Sequence, residues 1–125
     1  MQEKIKNLIQ EALKNLQIEE VNFSVEHPDD LKNGDYSTNV ALVCAQKIKM
    51  NPKELAEKIV ATLRQAHGKF SEIEEIQVAG AGFINFYLSR SFFTDSIKTI
   101  LEKGENWGKS NLLDCQKVMV EFTDP

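Results

Sequence analysis

The sequence predicts an α+β fold, a mostly antiparallel β-sheet with amphipathic helices packed on one face. Three observations predict it. Apolar residues recur at helical spacing in four separate segments, starting near residues 2, 40, 52 and 90. Apolar and polar side chains alternate near 21–26, 73–79 and 83–88, the period expected of half-buried strands. The last two of these strands are separated only by Gly80, Ala81 and Gly82, a connection short enough for an antiparallel hairpin.

In chain order, residues 2–16 read as a helix with Ile5, Leu8, Ile9, Ala12, Leu13 and Leu16 on one face and Lys and Glu opposite. Val21, Phe23 and Val25 then alternate with Asn22, Ser24 and Glu26 as a short strand, closed by Pro28 and two aspartates. A polar stretch leads to Gly34-Asp35-Tyr36-Ser37-Thr38-Asn39 and an apolar helix, Val40 to Ile48. Asp35 or Ser37 is the expected N-cap, since each offers an oxygen to unpaired amides. The same helix start could also receive a phosphate. Asn51-Pro52-Lys53-Glu54 is a better-defined start, with an N-cap, proline at the first helical position and a glutamate placed for a capping box. Leu55, Ile59, Thr62 and Leu63 form its expected buried stripe, and His67-Gly68 its end.

In the strand Phe83 to Leu88, Ile84, Phe86 and Leu88 share one face, which reads as core, and Phe83, Asn85 and Tyr87 share the other. Asparagine is depleted in strands. A flat ring can stack on a nucleobase and a carboxamide can both donate to and accept from a base edge, a pairing suited to an unstacked base in an RNA loop. The same pattern also fits an ordinary two-sided strand whose Asn is satisfied by backbone or water. Gly80 and Gly82 precede a strand, not a helix, so they do not make a dinucleotide fingerprint. Ser89 or Ser91 is expected to cap a further helix, buried through Phe93, Ile97, Ile100 and Leu101 and stopped by Gly104. Beyond Trp107-Gly108, residues 117–122 read as a last strand, frayed or irregularly paired because its continuation is missing. A hydrophobic strand followed at once by Asp124-Pro125 reads as a cut inside a longer protein.

A chain of 125 residues with 42% hydrophobic and 27% charged residues fits one globular domain. No apolar run approaches the ~20 residues that span a bilayer, and no signal-peptide pattern is visible, so neither a membrane nor an export route is expected. Cys44 and Cys115 lack metal or redox spacing, and Cys44 reads as a small buried hydrophobe; a cytoplasmic setting is the simple inference. His27 and His67 have no ligand partners at metal spacing. The net charge of −4 argues against a stand-alone nucleic-acid binder and against DNA as a partner, so any RNA contact must be local, weak, or shared with other domains. No nucleophile elbow, P-loop or carboxylate pair is present, and no catalytic residue is assigned.

Three segments together resemble the N-terminal domain of arginyl-tRNA synthetases: Gly34-Asp35-Tyr36-Ser37-Thr38-Asn39-Val40-Ala41, then Val78-Ala79-Gly80-Ala81-Gly82-Phe83-Ile84-Asn85-Phe86, and Trp107-Gly108-Lys109-Ser110-Asn111 leading into Val118-Met119-Val120-Glu121-Phe122. Asn33 and Ala81 stand where the family often has His and Pro, both in turns. The resemblance implies a domain over residues 1–116 and the start of a class I, Rossmann-type catalytic domain over 117–125. It implies that Phe83 and Asn85 contact a D-loop base of tRNA-Arg, commonly an adenine; Tyr87 is added from face geometry alone. Glu121 matches a glutamate that recognises arginine in the complete enzyme. The resemblance implies ATP with magnesium as cofactors of that parent enzyme, an arginine-tRNA ligase, and none for these 125 residues, which are not expected to catalyse alone. The alternative is a structural domain that buttresses the catalytic domain without reading a base. A third reading, a free-standing small-molecule-binding domain, would need an enclosed polar pocket.

Overall fold

In the computed structural model, which describes residues 1–66 and 71–109, helices and an antiparallel sheet form the expected α+β arrangement. Helix α1 (Gln2–Asn15) is followed by a two-residue strand β1 (Val25–Glu26), a 3₁₀ turn (Leu31–Asn33) and strand β2 (Tyr36–Thr38). Helices α2 (Val40–Ile48) and α3 (Pro52–Ala66) come next, then the hairpin β3 (Ile73–Ala79) and β4 (Phe83–Leu88), and helix α4 (Arg90–Lys103). The four strands lie in the order β1-β2-β4-β3, every neighbour antiparallel.

The core lies between one sheet face and α1, α2 and α3. Ile5, Ile9 and Leu13 of α1, Val40, Ala41 and Cys44 of α2, and Leu55, Ile59 and Leu63 of α3 meet Ile84 and Phe86 of β4 there. These are the positions that helical and strand periodicity select, and burying each large aliphatic side chain contributes about 1.5–3 kcal/mol. Cys44 is the buried hydrophobe its apolar run predicts, and burial raises its thiol pKa. Thr62 is only half-buried and bonds back to the Lys58 carbonyl, so the stripe of α3 passes through Ala56 and Val60 instead. Asn51 caps α3, its Oδ1 accepting from the Lys53 amide at 2.9 Å. The expected end of this helix at His67-Gly68 lies outside the described residues, as do the expected strand 117–122 and Glu121.

Three expectations are corrected. Only Val25 and Glu26 of the segment 21–26 join the sheet, because the strand they pair with is itself three residues long. That strand, Tyr36–Thr38, occupies what reads as a helix entry. Neither Asp35 nor Ser37 therefore caps α2; Asn39 holds the cap position, while Asp35 Oδ2 accepts from the Leu88 amide at 2.8 Å. Helix α4, correctly started by Ser89, whose Oγ accepts from the Phe92 amide, buries none of its residues among the described ones. Phe93, Ile97 and Leu101 are 45%, 58% and 75% exposed, so the helical spacing was real but its face is uncovered.

Glycine at 34 and 82 answers to crowding as well as to backbone angle. A Cβ on Gly34 (φ 88°) would lie 2.7 Å from the Phe86 carbonyl oxygen, and one on Gly82 (φ 143°) 2.9 Å from Pro52 at the start of α3. Gly82 of the hairpin therefore serves the close approach of the β4 entry to α3, while Gly80 answers only to its positive φ. We expect Gly34→Ala to cost ~2–4 kcal/mol in urea denaturation, and Gly80→Ala, with positive φ but no crowding, about 1 kcal/mol. Equal losses would refute the close approach as the reason for glycine at 34.

Candidate functional site

Strand alternation divides β4 as its sequence requires. Ile84 and Phe86 are fully buried against the helices and Leu88 nearly so, leaving Phe83, Asn85 and Tyr87 on the opposite face. The register across the sheet then aligns one residue from every strand on that face. Glu26 pairs with Ser37, Ser37 with Asn85, and Asn85 with Gln77.

The three residues picked out on β4 meet different surroundings. Phe83, next to the hairpin turn, is 44% exposed, whereas Asn85 is only 4% exposed. By strand alternation it lies on the face opposite Ile84 and Phe86. Phe83 and Asn85 both line an open concavity of about 870 Å³, bordered also by Ser37, by Leu42, Val43 and Gln46 of α2, and by Glu26 and His27. Tyr87 does not reach this concavity. It is half-buried, and its hydroxyl donates to the Lys32 carbonyl at 2.7 Å, tying β4 to the 3₁₀ turn. The structure thus brings Phe83 and Asn85 together and sets Tyr87 apart.

Asn85 is held from one side. The Ser37 hydroxyl donates to its Oδ1 at 2.8 Å, and among the described residues its Nδ2 makes no hydrogen bond. Gln77, its other cross-strand neighbour, is turned away and donates to Glu75. A buried amide donor without a partner is costly, and most such groups in folded proteins are paired. The site can therefore offer one ring face for stacking and one hydrogen-bond donor beside it. Among the described residues its rim carries the carboxylates of Glu26 and Asp29 and no Lys or Arg, a lining that does not suit a phosphate.

His27 and Tyr36 stiffen one wall. Their ring centroids lie 4.3 Å apart, and His27 Nδ1 donates to the Asp35 carbonyl at 2.8 Å. Burial, reinforced by the neighbouring Asp35 carboxylate, raises the Tyr36 phenol above its usual pKa and keeps it neutral at physiological pH. Ser37 and the α2 residues are the members that sequence reasoning did not place here. Their signal is cross-strand register, which a single sequence does not show for so short a strand. Among the described residues no cluster of three His, Cys, Asp or Glu side chains could hold a metal, and no helix is long and apolar enough to cross a membrane.

Comparison with known proteins gives a consistent family. Residues 3–88 match the model of the arginyl tRNA synthetase N terminal domain. The arginine–tRNA ligase 2 of Bacillus thuringiensis subsp. konkukian is 41% identical over 128 residues, covering 96% of this chain and 22% of that protein. The arginine–tRNA ligase of Legionella pneumophila (strain Corby) is 40% identical over 125 residues, 94% of this chain and 21% of its own. The chain thus spans about a fifth of the length of these relatives, at 22% and 21%. Among solved structures, the arginyl-tRNA synthetase of Plasmodium falciparum superposes with a TM-score of 0.66 at 25% identity, over 79% of this chain and 18% of that one. With the sheet order, the crowded glycines and the residues of the β4 face already in place, the match over residues 3–88 settles the family: this chain belongs to the arginyl-tRNA synthetase N-terminal domain family.

Proposed function

We propose that this domain holds one unstacked base of a tRNA-Arg loop, in the D-arm, with Phe83 stacking on the base and Asn85 bonding its edge, in support of arginine attachment by a longer arginine–tRNA ligase. One observation carries the reading: a half-exposed ring and a buried, unpartnered amide donor open into the same concavity. The relatives named above are arginine–tRNA ligases, which makes tRNA the natural source of such a base. The chemistry of ligation, with ATP and magnesium, belongs to the remainder of such a protein, including the proposed catalytic domain that begins at residue 117 and the arginine contact of Glu121.

The energetics suit an accessory contact. Base stacking contributes about 1–3 kcal/mol and a good base-edge contact a similar amount, which corresponds to roughly millimolar binding by the domain alone. The net charge of −4 adds no general attraction for the phosphate backbone. A weak contact of this kind becomes useful when a larger protein already holds the same tRNA, through effective concentration.

The buttressing role has its own observation and involves a different surface. The uncovered stripe of α4, Phe93, Ile97 and Leu101, continues to the half-exposed Trp107. In the longer protein this stripe packs on the rest of the ligase, while Phe83 and Asn85 stay available to RNA.

Phe83→Ala and Asn85→Ala in a full-length ligase should each raise the KM for tRNA by about 5–100-fold while leaving the KM for arginine unchanged. Equal losses for both substrates would instead assign the pair a folding role. Tyr87→Phe should leave tRNA binding unchanged and lower the stability of the chain by about 0.5–1.5 kcal/mol, the worth of one hydrogen bond. A selective loss of tRNA affinity in that variant would restore Tyr87 to the site. Ile97→Gln should alter the unfolding free energy of the 125-residue chain by less than about 0.5 kcal/mol, as for an exposed position, and destabilise the full-length ligase by more than 1 kcal/mol. Equal effects in both proteins would exclude docking through α4.

A further inference from the structure

The two edges of the sheet differ in kind. Strand β1 is two residues long, too short to template another strand, whereas β3 runs for seven residues, Ile73 to Ala79. Among the described residues no strand lies beyond β3. Along an antiparallel strand, the peptide groups of successive residues point alternately toward and away from a given neighbour. The Phe86 carbonyl accepts from the Asp35 amide, so the peptide groups of Phe86 are aimed at β2. Ile76 stands opposite Phe86, and Val78 stands opposite Ile84 in the same phase. Both therefore direct their N–H and C=O away from β4, to the open side of β3.

One of these outward groups is taken. Arg64, in the last turn of α3, reaches the strand edge, and its Nη2 donates to the Ile76 carbonyl at 2.8 Å. A charge-assisted bond thus sits at the middle of the edge, and an approaching strand has to displace it. Two neighbouring features work in the same direction. The ladder slips between Ile73 and Glu75, which leaves Glu74 without a partner on β4, and the carboxylates of Glu74 and Glu75 are exposed.

The strand that best fits this edge is a second β3. With two copies antiparallel and Ile76 opposite Ile76, the outward peptide groups pair with each other. Glu75 of each copy then faces Gln77 of the other, and no two carboxylates are opposed. Within one strand Gln77 Nε2 already donates to Glu75 Oε1 at 2.7 Å, so the same two groups can satisfy each other across the contact.

We infer that the outer edge of β3 is a self-association surface for a second copy of this chain, and that Arg64 keeps it closed. The inference is independent of the proposed base site, which lies at Phe83 and Asn85 on β4.

The test measures backbone amide exchange at Ile76 and Val78 in the 125-residue chain between about 10 μM and 1 mM, the affinity range of an interface this small. In wild type both amides should exchange at a rate independent of concentration. Arg64→Met keeps the aliphatic stem and loses the donor. It also makes the net charge of −4 more negative by one, so general repulsion opposes association. In this variant both amides should slow at least about tenfold at the upper concentration, and the sedimenting mass should double. Adding Val78→Pro removes an outward N–H while sparing the ladder to β4, and should return the variant to a monomer. If Arg64→Met does not fold, Arg64→Gln, too short to span to the carbonyl, makes the same comparison.

Protection that fails to rise with concentration in the Arg64 variant, or that rises equally in wild type, would overturn the closing role of Arg64. Association that leaves Ile76 and Val78 unprotected, or that survives Val78→Pro, would overturn the β3 edge as the surface and move the contact elsewhere, the uncovered stripe of α4 included.

Discussion

The register of β2 on β4 is set by one close approach, and the rest of the outer face follows from it. Gly34 passes so near the Phe86 carbonyl that no side chain fits, and this lets the Asp35 amide donate to that carbonyl at 2.8 Å. Asp35 Oδ2 then receives the Leu88 amide. Two bonds on consecutive groups clamp a three-residue strand that has little other means of fixing its position. A slip of one residue would turn Ser37 toward the helices and bring Thr38, now 2% exposed and bonded to the Ser24 carbonyl, to the surface.

That clamp makes a buried asparagine tolerable. Asn85 gains one hydrogen bond from Ser37, and β4 is anchored on its other face by Ile84 and Phe86, both fully buried. Leaving one buried donor unpaired costs about 1–3 kcal/mol. In the proposed function the unpaired donor is what a base edge completes, and the strand carries its cost in the free state.

The legible parts of the chain were those whose signal is local. Alternation along Phe83 to Leu88 assigned every residue of that strand to its correct face, and Asn51-Pro52 marked the start of α3. Strand β2 was not legible, because Tyr36-Ser37-Thr38 has neither length nor an apolar alternation, and it exists through pairing with residues ~50 positions away. The Ser37–Asn85 hydrogen bond was hidden with it. Helix α4 shows a different limit. Its spacing correctly implies an apolar face, but periodicity is silent on what covers that face, and the core-facing and partner-facing cases read alike. Tyr87 was placed by face alone, and its hydroxyl went to a backbone carbonyl brought near by the 3₁₀ turn.

In the proposed function, a site built this way is better suited to rejection than to tight holding. Stacking on Phe83 is available to any base, so it gives affinity without choice. The buried amide works in the other sense. A complementary edge relieves a cost already present in the fold, while a mismatched one desolvates its own polar atoms and leaves the amide unpaired as well. In the proposed function, discrimination therefore exceeds what one hydrogen bond contributes to affinity. In the proposed function, a domain with net negative charge and a weak grip can still report on one nucleotide, because the information lies in the penalty for the wrong one.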